Sequence, residues 1–63
     1  MIEPTEKDIG RSVVYRPRPG VQGEDGVIRG FNDSVVHVLY RGDLHAEPTD
    51  RRDLFWPFNY DGV

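Results

Sequence analysis

Two apolar runs joined by a short polar stretch constrain this chain more than any other feature of its sequence. Residues 26–31 and 35–40 are rich in β-branched and aromatic side chains, and Asn32-Asp33-Ser34 lies between them. Such runs favour strands, and a short connection of this composition is typical of a β-hairpin. Asn and Asp also tolerate the left-handed backbone that tight turns often need. The sequence therefore predicts a central hairpin, whereas no comparably specific pattern predicts a chemistry.

Weaker patterns on both sides of the hairpin predict three further strands. Residues 12–16 alternate so that Val13 and Tyr15 share an apolar face, which is typical of a half-buried strand. Residues 44–47 and 54–58 are shorter or interrupted candidates for a fourth and a fifth strand. A Pro- and Gly-rich stretch separates the first strand from the hairpin and predicts a long loop there.

Two segments predict single helical turns. Thr5 and Asp8 have the spacing of a capping box, and either Thr49 or Asp50 can cap a second turn, of 3₁₀ type, over residues 48–54. Five short strands, one long first loop, one tight hairpin and a 3₁₀ turn before the last strand predict an all-β fold. Its expected form is a small five-stranded SH3-like barrel with one or two short helical or 3₁₀ turns.

Length and composition predict one domain with a thin margin of stability. The chain has 63 residues and no cysteine, so disulfides cannot reinforce a small core. In the second hairpin strand we expect Val36, Val38 and Tyr40 to face that core, because His37 interrupts the opposite face. We expect a single domain over residues 1–63, with flexible ends at 1–7 and 59–63.

The strand and turn motifs within residues 8–56 form a pattern of their own. They are Asp8-Ile9-Gly10-Arg11, Val13-Val14-Tyr15-Arg16-Pro17, Gly26-Val27-Ile28, Asn32-Asp33, Val36, Val38-Leu39-Tyr40, Gly42-Asp43 and Asp53-Leu54. Together they resemble small bacteriophage-encoded proteins with an SH3-like fold, fold-level relatives of Tudor and KOW modules. If the chain is phage-encoded, as the resemblance implies, we expect a phage-type binding module in the host cytoplasm, with the virion as the alternative location. It specifies fold far better than activity.

Charge and hydropathy narrow the partner classes. The net charge is −3, which disfavours a general nucleic-acid binder, since such proteins normally carry a basic excess. A KOW-like nucleic-acid role through Arg11, Arg16, Arg18 and Arg41 stays as an alternative, as does a structural role in a virion. No apolar run approaches the ~18 residues of a membrane span, so we expect no membrane partner.

Catalytic and metal-binding patterns are weak. Both serines lie outside any nucleophile motif, and only His37 and His45 could serve as bases. A metal site would have to combine His45 and Glu47 with Asp43 or Asp50, which is fewer well-spaced ligands than structural zinc requires. We therefore expect no enzyme, no metal and no cofactor.

The C-terminal aromatic residues and the arginines of the long loop are the strongest candidates for partner contact. Trp, Tyr and Arg are enriched at binding hot spots, and exposed apolar patches on small proteins often mark interfaces. The predicted surface for a protein partner or self-association comprises Arg16, Arg18, Phe55, Trp56, Phe58 and Tyr60. An aromatic cage around a cation would need outward-facing rings. Because Tyr15 and Tyr40 are assigned inward, the sequence argues against such a cage.

Overall fold

The computed structural model of the protein describes residues 1–57, which form one five-stranded antiparallel sheet. The strands are β1 (Ser12–Tyr15), β2 (Glu24–Phe31), β3 (Val36–Tyr40), β4 (Glu47–Thr49) and β5 (Leu54–Phe55), in the spatial order β4-β3-β2-β1-β5. Two 3₁₀ turns are present within these residues, a first at Glu6–Asp8 and a second at Arg51–Asp53. The predicted small all-β fold with five strands and short 3₁₀ turns is confirmed.

The central hairpin forms as predicted, but its turn uses a different device. Strands β2 and β3 pair with Ile28 opposite Val38, and the register shifts between Ile28 and Gly30. At the turn, Oδ1 of Asn32 accepts hydrogen bonds from the amides of Ser34 (2.7 Å) and Val35 (2.9 Å). No residue other than glycine has a positive φ in the described part of the chain. The Asn32 side chain therefore stabilises the turn without the left-handed backbone that the sequence suggested.

The core lies against the inner face of this hairpin. Val36 and Val38 are completely buried, and Tyr40 packs against the same cluster, so the predicted inward face of β3 is confirmed. The fully enclosed cluster takes one or two apolar side chains from each of several elements: Ile2, Val13, Ile28, Val36, Val38 and Leu54. Branched aliphatic residues dominate because they pack well on a pleated surface.

The N-terminal residues belong to this core. Ile2 is only 2% exposed, its amide donates a hydrogen bond to the carbonyl oxygen of Arg51 (3.2 Å), and Pro4 is also buried. The structure thus anchors a stretch for which the sequence predicts a flexible end over residues 1–7. The reason is long-range, since the partner of Ile2 is a turn near the other end of the chain. The other predicted flexible end, 59–63, lies outside the described residues.

The fourth strand is displaced from its predicted position. The sequence places it at residues 44–47, whereas β4 begins at Glu47 and includes Pro48. Leu44 is 90% exposed and does not contribute to the sheet. Proline is tolerated here because β4 is an edge strand, with β3 on one side only. The sequence interpretation took Pro48 as the start of the second turn and therefore ended the strand too early.

The fifth strand is shorter than predicted. Pairing with β1 places Val14 opposite Phe55, and the described strand ends at Phe55. The prediction extended to residue 58. Trp56 and Pro57 follow outside the strand, and residue 58 lies outside the described part of the chain.

Aspartates stabilise both 3₁₀ turns. In the first, the Asp8 carboxylate accepts a hydrogen bond from the Thr5 amide (2.9 Å), which is the reciprocal half of a capping box. In the second, Asp50 is the N-cap and accepts from the Arg52 amide (2.9 Å). Of the two cap residues that the sequence allowed for the second turn, the structure uses Asp50. Over residues 1–57 there is no helix of the length and apolar character that a membrane crossing requires.

Candidate functional site

The predicted contact residues flank β5 without forming one cluster. Arg18 is exposed in the loop between β1 and β2, whereas Arg16 is half-buried and its amide donates to the carbonyl oxygen of Asp53 (2.8 Å). Phe55 is half-buried within β5, and Trp56 follows at the opposite end of that strand from Arg16. Phe58 and Tyr60, which complete the predicted surface, lie outside the described residues.

Trp56 has a structural role that its sequence position did not indicate. Its ring packs against the core, and the guanidinium carbon of Arg11 lies 4.3 Å from the ring centroid. Arg11 also donates to the Asp8 carboxylate (2.9 Å), so the first 3₁₀ turn, the arginine and the ring form one connected unit. A cation over an aromatic face is favourable. Nothing local predicts this contact, because it depends on the return of the last strand to β1.

The structure instead brings strand ends together around an open cleft of about 410 Å³, here named the acidic cleft. It lies between two groups of elements. One group is β1, β2 and β3; the other is β4, the second 3₁₀ turn and the loop that follows β3. The residues that line it are Tyr15, Glu24, Tyr40, Arg41, Asp43, Glu47, Pro48, Thr49, Asp50 and Asp53.

Two tyrosines form the aromatic part of the acidic cleft. The ring centroids of Tyr15 and Tyr40 are 5.9 Å apart, and the rings meet edge to face at 71°. The Tyr40 hydroxyl and Oγ1 of the buried Thr49 share a hydrogen bond of 2.8 Å, which fixes the ring. Burial raises the pKa of Tyr40, so its phenol stays protonated at neutral pH. Both rings therefore pack on the core and line the cleft, a dual position that an inward-or-outward assignment could not describe.

Carboxylates dominate the charge of the acidic cleft. Five of its lining residues are acidic and one, Arg41, is basic. Hydrogen bonds from the side chain and amide of Arg52 lower the pKa of Asp50 to about 2, so this carboxylate is ionised at neutral pH. Arg41 lies 4.0 Å from the Asp25 carboxylate, and its side chain is 88% exposed.

A second, more apolar concavity of about 670 Å³ adjoins the acidic cleft, and we name it the apolar groove. Val27 and Leu39, which pair across β2 and β3, contribute its apolar wall. Its complete lining is Ser12, Asp25, Gly26, Val27, Leu39, Tyr40, Arg41, Gly42, Asp43 and Pro57. Because the two concavities share Tyr40, Arg41 and Asp43, they form one continuous surface.

The residues considered for metal binding are separated. Within residues 1–57, no three histidine or acidic side chains are close enough together to hold a metal ion. His45 lines a separate depression of about 380 Å³, whereas Asp43, Glu47 and Asp50 line the acidic cleft.

The chain finds no match in three comparisons with known proteins. No protein-family model, no curated protein and no solved structure matches the chain. What the protein can bind is therefore inferred from the surface formed by the acidic cleft and the apolar groove.

Proposed function

We propose that this chain is a noncatalytic binding module that engages a protein partner, of the phage SH3-like type that its motifs resemble. The observation that carries the proposal is the continuity of the acidic cleft with the apolar groove through Tyr40, Arg41 and Asp43. Binding sites are concave and combine apolar walls with a few placed polar groups. Here both features lie side by side on one sheet.

A protein partner suits this surface better than a small ligand or a nucleic acid. The two concavities are open and share part of their lining, which suits a peptide segment or a protein surface. The net charge of −3 and the acidic rim favour partners that are neutral or basic. An acidic surface repels phosphate backbones.

The predicted surface of arginines and C-terminal aromatics remains a second candidate for contact with the partner. Arg18 is the most accessible of its described members. Trp56 packs on the core, so Trp56→Ala would perturb stability as well as any contact that the ring makes. The variant is therefore informative only when its folding is measured in parallel.

The nucleic-acid alternative depends on arginines that have acidic neighbours. Arg11 pairs with Asp8, and Arg41 lies near Asp25. These contacts offset part of the positive charge that a phosphate backbone would need. A mixed oligonucleotide pool at ~50 mM salt tests this role directly, because phosphate contacts give affinities that fall steeply with salt. We expect no binding there.

The experiment for the proposed function compares matched variants of the whole chain. Light scattering first gives the oligomeric state, and immobilised protein is then used to capture partners from the native cellular extract. We expect one protein to be retained by the wild type and by Asp33→Asn, which changes an exposed residue of the hairpin turn, and to be lost with Leu39→Ser in the apolar groove. Circular dichroism checks that each variant is folded.

Two results would contradict the proposal. One is a folded Leu39→Ser variant that keeps every captured protein and the same oligomeric state. The other is recovery of the chain in stoichiometric amounts from purified virions with no separable partner, which would favour the structural role.

A further inference from the structure

The acidic cleft combines two features that are independent of each other. One is the ring pair of Tyr15 and Tyr40, packed on the core and yet lining a concavity of about 410 Å³. The other is the excess of five carboxylates over one arginine among the lining residues. A concavity of this size falls within the range of about 300–1,000 Å³ that is typical of ligand pockets.

The aromatic pair changes what the carboxylates can recognise. Carboxylates alone would suit any cation, including a hydrated metal ion. Within the described residues, however, they are too dispersed for three of them to hold a metal. Aromatic rings attract organic cations over their faces, and among side chains the planar guanidinium both stacks on rings and bonds carboxylates through two parallel N–H groups. Rings with dispersed carboxylates therefore favour arginine over lysine or a metal ion.

The cleft is not filled by an arginine of its own rim. Arg41 is the only basic residue among those that line it, and its side chain is 88% exposed with its nearest carboxylate, Asp25, outside the cleft. Arg52 binds Asp50 from the turn and is likewise largely exposed. Glu47 and Asp43 are exposed at the rim and have no ion pair within the described chain. These two carboxylates are therefore accessible to an incoming cation.

We infer that the acidic cleft binds the guanidinium of an arginine in a basic segment of the protein partner, with the side chain against Tyr15 and Tyr40 and its N–H groups directed to the rim carboxylates. This inference rests on the proposed function and names the chemistry of the partner. The adjoining apolar groove then receives the residues that flank the arginine.

The test is an NMR titration of the isotopically labelled protein with the blocked peptide acetyl-Gly-Arg-Gly-amide. The matched probe replaces arginine with citrulline, which has nearly the same shape without the charge. We expect chemical-shift changes centred on Tyr15, Tyr40 and Glu47. The citrulline peptide should bind at least about tenfold more weakly, because charge-assisted hydrogen bonds are lost. Lysine and trimethyllysine peptides should bind less tightly than the arginine peptide.

Variants then locate the binding. The double change Asp43→Asn with Glu47→Gln should weaken the arginine peptide by about fivefold, since two exposed charges are removed. The control, Glu3→Gln with Asp33→Asn, makes the same charge change at exposed positions away from the cleft and should leave the affinity unchanged. Tyr40→Phe keeps the ring and should retain binding, whereas a folded Tyr40→Leu should lose most of it.

Three outcomes would overturn the inference: equal binding of the citrulline peptide, tighter binding of the lysine peptides, or equal loss in the cleft variant and its control. Its failure is separable from failure of the proposed function. If the folded cleft variant still retains the captured protein partner, the result supports the binding module and contradicts the arginine site.

Discussion

The two faces of the β2–β3 hairpin carry similar side chains and serve different purposes. Val38 on the inner face is completely buried beside Ile28, whereas Val27 and Leu39 on the outer face are half-buried and line the apolar groove. Both faces carry apolar residues, although His37 interrupts the outer face of β3. The inner face is enclosed because β1, β5 and the N-terminal residues pack over it, while the outer face has no described element above it. The sequence assigned the inner face of β3 through His37, but it did not indicate that Val27 and Leu39 on the outer face would line a concavity.

The largest effect should come from the same substitution made on opposite faces. Val38→Ala leaves a cavity in an enclosed core and should lower the free energy of unfolding by about 2–3 kcal/mol. Val27→Ala removes the same atoms from a partly exposed position and should cost less than about 1 kcal/mol. Urea denaturation measures both. Equal losses would show that the outer face is as well packed as the inner one.

Two glycines of β2 sharpen the comparison at the level of the backbone. A Cβ at Gly26 would overlap Cγ1 of the buried Val38 and lie 3.1 Å from Cδ1 of Tyr40, whereas at Gly30 it would meet nothing within 4 Å. Gly26→Ala should therefore destabilise the protein by about 1–3 kcal/mol through overpacking. Gly30→Ala should be neutral or stabilise it by up to about 1 kcal/mol through reduced unfolded-state entropy. Thermal melts of both variants and the wild type measure these changes. A Gly26→Ala variant as stable as the wild type would mean that β3 can move away from β2.

A smaller effect is expected where the hairpin meets the acidic cleft. Tyr40→Phe removes the hydrogen bond to Thr49 and should cost about 1 kcal/mol in denaturant experiments. Tyr15→Phe is the control, because the described part of the chain offers its hydroxyl no hydrogen bond, and it should change stability less. If the two variants lose the same amount, the Tyr40–Thr49 bond does not help to hold β4 against the hairpin.

The smallest effect should appear outside the hairpin, at the second 3₁₀ turn. The pKa of Asp50 is lowered from 3.8 to about 2, chiefly by hydrogen bonds from Arg52. A lowered pKa in the folded state means that the carboxylate stabilises the fold fully above about pH 5, and that this contribution declines as the pH falls from about 4 to 2. Asp50→Asn keeps a side-chain acceptor for the cap but removes the charge.

We therefore expect Asp50→Asn to be less stable than the wild type at pH 6, and the difference to shrink as the pH falls through 4 and become small near pH 2. The measurement is the urea midpoint of both proteins across this range, with Asp33→Asn as the control for the loss of one surface charge. A difference that is constant with pH would assign the effect to the geometry of the cap and not to the ion pair.

Much of the candidate site could not be predicted from local patterns. The acidic cleft takes Tyr15 from β1, Glu24 from β2, Tyr40 from β3 and Glu47 from β4, so its composition depends on strand ends that meet only after folding. The sequence interpretation argued against an aromatic cage because it placed Tyr15 and Tyr40 inward. The structure joins the two tyrosines to one another and holds Trp56 beneath Arg11.

The sequence by itself determined the all-β class, the central hairpin, the inner face of β3 and the two capped turns. These features follow from alternation, turn chemistry and side-chain capping, which act over a few neighbouring residues. Only the tertiary structure decided that Ile2 completes the core, that Pro48 lies within an edge strand, and that carboxylates from β2, β4, the second 3₁₀ turn and the loop after β3 line a cleft with a pair of tyrosines. Those outcomes depend on which distant segments pack together, because the burial and charge environment of a side chain are properties of the folded assembly and not of its local sequence.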